Sequence, residues 1–205
     1  MGLRVVRHPL VAHLLHGLRD ARTPPDEFRR LARRLTTALV FEATTGLRQV
    51  ADQVDTPLGT AETLRIAQPL VAVPILRAGL GMLDPVIDLF PDVRVGYLGL
   101  ARDEATAIAH QYYSKLPDVK GALVLCLDPM LATGGSSSRC VSEIKHGLPD
   151  RVVMVSVVAA PEGVARLEAD HPDVEIVTAA LDSHLDERCY IFPGVGDFGD
   201  RLNGT

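Results

Sequence analysis

The sequence predicts an α/β fold, a mostly parallel central sheet flanked by helices, and three observations lead there. Apolar runs recur at 70–76, 93–98, 122–127, 152–159 and 174–179, with helical patterns between most of them. Each run is a continuous stretch rich in Val, Leu and Ala, the pattern of strands covered on both faces rather than on one. With 205 residues, 47% of them hydrophobic, the chain can bury a sizeable core as one domain spanning 1–205.

The elements follow in chain order. Residues 9–47 read as two helices broken at Thr23-Pro24-Pro25, with Leu31, Leu35, Ala38 and Leu39 at helical spacing. They make 1–50 an N-terminal helical arm that covers the sheet. The stretch 55–68 is mixed and accommodates a short hairpin. The run 70–76 ends at Arg77-Ala78-Gly79, where glycine lets backbone approach a ligand closely. Residues 102–117 interrupt the alternation without a clear period, as a hairpin or a lid would. The run 122–127 feeds Asp128 and a glycine-rich turn, then a helix whose Val141, Ile144 and Leu148 should press it onto the sheet. Residues 161–170 read as a further helix. The segment 182–205 is rich in glycine and too apolar to be freely solvated, so it reads as a structured loop with no room for a helix before Thr205.

Composition limits the function classes. A net charge of −5 with no tryptophan argues against a nonspecific hold on nucleic acid or on an anionic membrane. Cys126, Cys140 and Cys189 nowhere form the close sequence pair that zinc or redox sites use, and reduced thiols are the expectation. The seven histidines show no metal spacing. No secretory leader is legible and no apolar run is long enough to span a bilayer, so a cytoplasmic location is expected.

The segment Asp128-Pro129-Met130-Leu131-Ala132-Thr133-Gly134-Gly135-Ser136 joins a strand to a helix. The strand delivers an acid to its carboxyl end. The turn then presents backbone N–H groups where a helix begins, so unpaired amides and the positive end of the helix dipole point at one spot. Each charge-assisted bond to a phosphate contributes roughly 1.5–3 kcal/mol, so three or four fix a phosphate without a lysine. Glycines alone would also suit an ordinary strand-to-helix connection, but the acid and the helix-start hydroxyl are more than such a connection needs. No Walker A lysine is present. Gly194, Gly196 and Gly199 match a dinucleotide pattern in spacing only, since they follow no early strand.

That loop, together with Val73-Pro74-Ile75-Leu76-Arg77-Ala78-Gly79-Leu80-Gly81-Met82 and Tyr190-Ile191-Phe192-Pro193-Gly194-Val195-Gly196-Asp197-Phe198-Gly199-Asp200-Arg201, resembles the type I phosphoribosyltransferases, and their uracil-specific branch in particular. The similarity runs from His8-Pro9-Leu10 almost to Thr205. It implies the type I phosphoribosyltransferase fold, with a flexible loop at 101–117 over the active site and a base-binding hood at 182–205. It implies transfer of a phosphoribosyl unit from 5-phosphoribosyl 1-diphosphate to uracil, giving UMP and diphosphate.

Roles follow from the same resemblance. Asp128 would accept from the ribose hydroxyls, and amides through Ala132, Thr133, Gly134, Gly135 and Ser136 would hold the 5-phosphate, with Pro129, Met130 and Leu131 completing the loop. Arg77 and Arg102 would take the leaving diphosphate, an arginine fork matching phosphate oxygens. Uracil would meet Ile191, Gly196, Asp197 and Phe198 largely through main chain, Asp197 also lying near the donor. Pro129 stands where most phosphoribosyltransferase loops carry a second acid, which leaves Asp128 as the main acidic contact. Phe198 replaces the alanine of many relatives and puts the pocket's width in question. Mg2+ is implied, held mainly by substrate diphosphate and water rather than by a protein metal site. A homodimer or higher homo-oligomer is implied, and some relatives respond to GTP. Two rivals stand beside this reading: an RNA-binding regulator on the same fold, and an enzyme for another nucleobase.

Overall fold

The computed structural model describes residues 2–102 and 109–205. Among these, nine strands form one sheet. Its main path runs β1 (Leu3–Val5), β11 (Glu175–Leu181), β10 (Arg151–Ala159), β8 (Leu123–Leu127), β4 (Leu70–Leu76), β6 (Tyr97–Arg102) and β7 (Ala109–Lys115). The two-residue strands β5 (Arg94–Val95) and β9 (Met130–Leu131) lie beside β4 and β10. All these pairings are parallel except β6 with β7.

Continuous apolar strands make two cores, one on each face. Leu123, Leu125 and Leu127 of β8 pack with residues of α1 (Pro9–Arg19), α2 (Pro25–Ala43) and α3 (Leu83–Leu89). Val124 and Cys126, pointing the other way, pack with α4 (Gly135–Lys145) and α5 (Pro161–Asp170). Burying one such leucine contributes about 2 kcal/mol, so the sheet is fixed from both sides. Proline opens α1, α2 and α5, where its missing N–H costs nothing.

The expected helices and strand runs are present, with five differences. The arm begins with the three-residue β1, too short to carry a period. The hairpin expected at 55–68 starts earlier: β2 (Gln49–Thr56) and β3 (Gly59–Ile66) form a separate two-stranded sheet. The run 93–98 is split between β5 and β6 at Gly96, where the Pro117 and Leu116 side chains crowd against the backbone. Leu148 does not press on the sheet; it lies beyond α4 at φ 56° and is 69% exposed. The tail does hold a helix, α6 (Phe198–Asn203), preceded by the pair β12 (His184–Leu185) and β13 (Ile191–Phe192). Asp197 caps α6 by accepting from the Asp200 amide, and this capping is what lets so short a helix form.

The stretch 101–117 is a hairpin on its described side: β6 and β7 run antiparallel, while 103–108 lie outside the described residues. Cys126 and Cys140, far apart in sequence, meet with their sulfurs 3.1 Å apart behind the glycine-rich turn. The Cys140 contact and burial hold the Cys126 thiol well above its usual pKa, which makes Cys126 a poor nucleophile.

Candidate active site

The turn after β8 is shaped by backbone. Ser138 donates the first bond of α4 back to Gly134 at 2.8 Å, so the amides of Gly135, Ser136 and Ser137 precede the helical ladder. Gly134, the N-cap of α4, holds φ 76° and, being glycine, brings no side-chain cap of its own. A Cβ on Gly134 would sit 2.8 Å from the Gly163 carbonyl, so the turn closes tightly on the start of α5. The result is a helix end whose natural cap is an anion. Ala132 departs from expectation: its N–H already bonds the Met130 carbonyl at 2.9 Å, which removes it from the set of free donors. Leu131 is fully buried beneath the turn.

Asp128 stands at the end of β8. Its carboxylate accepts from the Met130 amide at 3.4 Å and from the Ser137 hydroxyl at 3.5 Å, both long contacts. Desolvation by the surrounding protein therefore dominates and raises its pKa to about 6, with those two bonds pulling the other way. A carboxylate so poorly satisfied has accepting capacity left for a ligand.

Two adjoining cavities meet at this point. One of about 230 Å³ is lined by Asp128, Met130 and Ala132 on one side and by Ile191, Gly196, Asp197 and Phe198 on the other. A second of about 720 Å³ is lined by Arg77, Tyr112, Asp197 and Asp200. Ala78, Asp197 and Gly199 border both. Arg77 is exposed just past β4. Gly79 serves a different close approach from the one expected: a Cβ there would lie 2.4 Å from the Leu127 carbonyl, so glycine brings this turn against the end of β8 rather than against a ligand.

The hood is held by the arm. Arg201 donates to the carbonyl of Val195 at 2.8 Å and to that of Asp20 at 2.6 Å, and also to Leu18, while its guanidinium lies 4.4 Å from the Phe28 ring centre. Phe198 meets Phe28 edge-on, centroids 5.1 Å apart, and is 1% exposed. Its ring thus packs into the core between α2 and α6, while the residue also borders the smaller cavity. Arg19 pairs with Asp182 at the start of the hood.

The structure brings together Asp128, Met130, Ala132, Arg77, Ile191, Gly196, Asp197 and Phe198, with Thr133, Gly134, Gly135 and Ser136 beside them at the α4 start. Pro129 and Leu131 shape the loop from within the core. Arg102 ends β6, and its side chain lies outside the described residues. Tyr112, Cys189 and Tyr190 line the cavities without having been singled out. Arg19 was also missed, and nothing local in an arm helix marks it.

The profile of the family described as uracil phosphoribosyltransferase matches residues 5–205. Uracil phosphoribosyltransferase of Roseiflexus castenholzii is 50% identical over 202 residues, covering 98% of this chain and 97% of its own. That of Acinetobacter baylyi is 47% identical over 208 residues, covering 100% and 98%. Among solved structures, protein AQ2163 of Aquifex aeolicus superposes with a TM-score of 0.93 at 39% identity, covering 98% of this chain and 97% of that one. A hypoxanthine phosphoribosyltransferase from Trypanosoma cruzi, complexed with its product IMP, gives 0.51 at 13% identity over 77% and 75%, a likeness of fold alone.

Proposed function

The chain belongs to the uracil phosphoribosyltransferase family, and from that premise we propose how its residues divide the transfer of a phosphoribosyl unit from 5-phosphoribosyl 1-diphosphate to N1 of uracil. The observation that carries the division is the pair of cavities sharing an Asp197 wall, one bordered by Asp128 and the hood, the other by Arg77. The helix end at Gly134–Ser136 anchors the 5-phosphate. Asp128 accepts from the ribose hydroxyls and holds negative charge near an anomeric carbon that turns positive as the diphosphate leaves. Arg77 receives the diphosphate in the larger cavity, and Arg102 is assigned to the same task from the end of β6. Uracil lies in the smaller cavity. Its O4 acceptor and N3 donor suit a main-chain N–H beside a C=O, whereas cytosine reverses that pattern and leaves both unpaired.

Magnesium fits as a companion of the diphosphate. Asp197 and Asp200 border the larger cavity and Asp128 the smaller, and among the described residues no three carboxylate, imidazole or thiol groups converge. A cation there would be held chiefly by substrate oxygens and water, with Asp128 and Asp197 as outer partners, and would neutralise the departing charge. No described helix is long and apolar enough to cross a membrane. A cytoplasmic location belongs to this proposal, as does a homo-oligomer. The latter is supported by the β2–β3 hairpin, which stands apart from the main sheet and exposes Val54, Leu58, Leu64 and Ile66. Light scattering of the purified protein tests the oligomer.

The activity test mixes protein, uracil, 5-phosphoribosyl 1-diphosphate and magnesium. Formation of UMP and diphosphate is expected, with cytosine and hypoxanthine at least a hundredfold poorer, about what unpaired buried polar groups impose. No UMP above a blank would sink the reading.

A further inference from the structure

We propose that Arg19 and Asp182 form a positioning pair that sets the register of the base pocket, an inference that rests on reading the smaller cavity as the uracil site. Arg19 is the last residue of α1, and Asp182 follows β11 with its amide bonded to the Ala159 carbonyl at 2.8 Å, so the carboxylate is referenced to the sheet. The guanidinium grips both carboxylate oxygens, at 2.9 and 2.5 Å. Side-chain exposure is 5% for Asp182 and 28% for Arg19, so water competes weakly for either.

Both partners also hold the same hood residue. Arg19 donates to the Gly194 carbonyl at 2.8 Å, and the Gly194 N–H donates to Asp182 at 3.0 Å. The two main-chain groups of Gly194 are thereby fixed from one ion pair. Gly194 lies between Ile191 and Gly196, which line the cavity on either side of it in sequence. A site that reads its ligand through main chain has no side-chain rotamer with which to adapt, so a small shift of the turn costs recognition directly. The pair touches no substrate; it acts through Gly194.

A merely structural role would attach α1 to the sheet and lower stability without moving kinetic constants. The test therefore measures steady-state kinetics with each substrate varied in turn for Arg19→Gln, Asp182→Asn, their double variant and Arg19→Lys, each normalised to folded protein by circular dichroism. Expected is a rise of about tenfold in the KM for uracil for either single variant, the size of one lost charge-assisted bond, with the double variant no worse. The KM for 5-phosphoribosyl 1-diphosphate stays within about twofold, since the α4 start is untouched. Arg19→Lys falls between, because an ammonium cannot span two carboxylate oxygens and a carbonyl. An unchanged uracil KM beside a lowered melting temperature overturns the proposal, as does an equal rise in both KM values. Should Asp182→Asn fail to fold, Arg19→Gln decides alone. A wild-type protein that makes no UMP would overturn the site assignment itself, a result distinct from a variant that behaves like wild type.

Discussion

The glycine-rich turn at 128–136 and the hood at 182–205 border the same cavity and are held in opposite ways. In the turn, contiguous residues set the shape: Asp128 ends a strand, Gly134 supplies φ 76°, and α4 starts at once. In the hood, Arg201 reaches back to the carbonyl of Leu18, 183 residues away, and Arg19 reaches forward 163 residues to Asp182. On the proposed division, the phosphate anchor would be a property of local backbone and the base pocket a property of tertiary clamps between arm, sheet and tail.

That contrast is open to attack from either side. The largest effect is expected at Asp128. Asp128→Asn should lower turnover about a hundred- to a thousandfold, the scale of losing one aimed electrostatic contact, while folding survives. The same variant should be more stable than wild type at neutral pH. The folded carboxyl titrates near 6 against 3.8 unfolded, so as pH rises through that window the unfolded chain ionises first and stability falls. Above pH 6 the penalty reaches on the order of 3 kcal/mol, and the amide removes it. Melting temperatures of wild type and variant at pH 4 and pH 7.5 check the sign: the gap should open only at the higher pH.

Next comes the hood's hydrophobic anchor. Phe198→Ala should cost about 3 kcal/mol in urea unfolding, because a fully buried ring against Phe28 leaves a cavity. Donor affinity at the turn should hold within about twofold if the two regions are separately built. Arg201→Ala removes backbone bonds and a cation–π contact, and about 2 kcal/mol is expected, again with the uracil KM rising before the donor KM. The smallest effect runs the other way. Gly134→Ala should cost about 1.5 kcal/mol from positive φ and the approach to Gly163, and should raise the donor KM while leaving uracil binding alone. If Gly134→Ala weakened both substrates equally, the separation of the two regions would be wrong.

The same division explains what was legible in the sequence. Strands, helices and the 128–136 turn depend on neighbours within a few residues, so continuous apolar runs, helical spacing and the Asp128-to-Ser136 segment revealed them. Leu148 misled because helical spacing continues past Lys145, where α4 ends, and Leu148 itself turns into the left-handed region at φ 56°. Arg19 gave no signal, since a terminal arginine on an amphipathic helix looks like any solvated cation until Asp182 is folded against it. Helix α6 was hidden for a related reason: six residues carry no period, and its cap and its Phe28 contact are the features that make it form. Ala132 shows the limit within the turn itself, where residue type cannot tell a free amide from one already bonded to Met130.

The pairing of β1 with β11, and of Arg19 with Asp182, also bears on how the chain is made. At roughly 5–20 residues per second on the ribosome, the 163 residues between Arg19 and Asp182 take some 10 to 30 seconds to appear. Throughout that interval α2 waits with Phe28 lacking its aromatic partner and β1 lacking a neighbour strand. The strands around β4 and β8 and the turn behind Asp128 are complete well before. A nascent chain arrested past α5 would then hold the 128–136 turn and most of the sheet, while the arm still lacks the part of its apolar cover that β11 and α6 provide, a stage at which chaperone binding and aggregation compete.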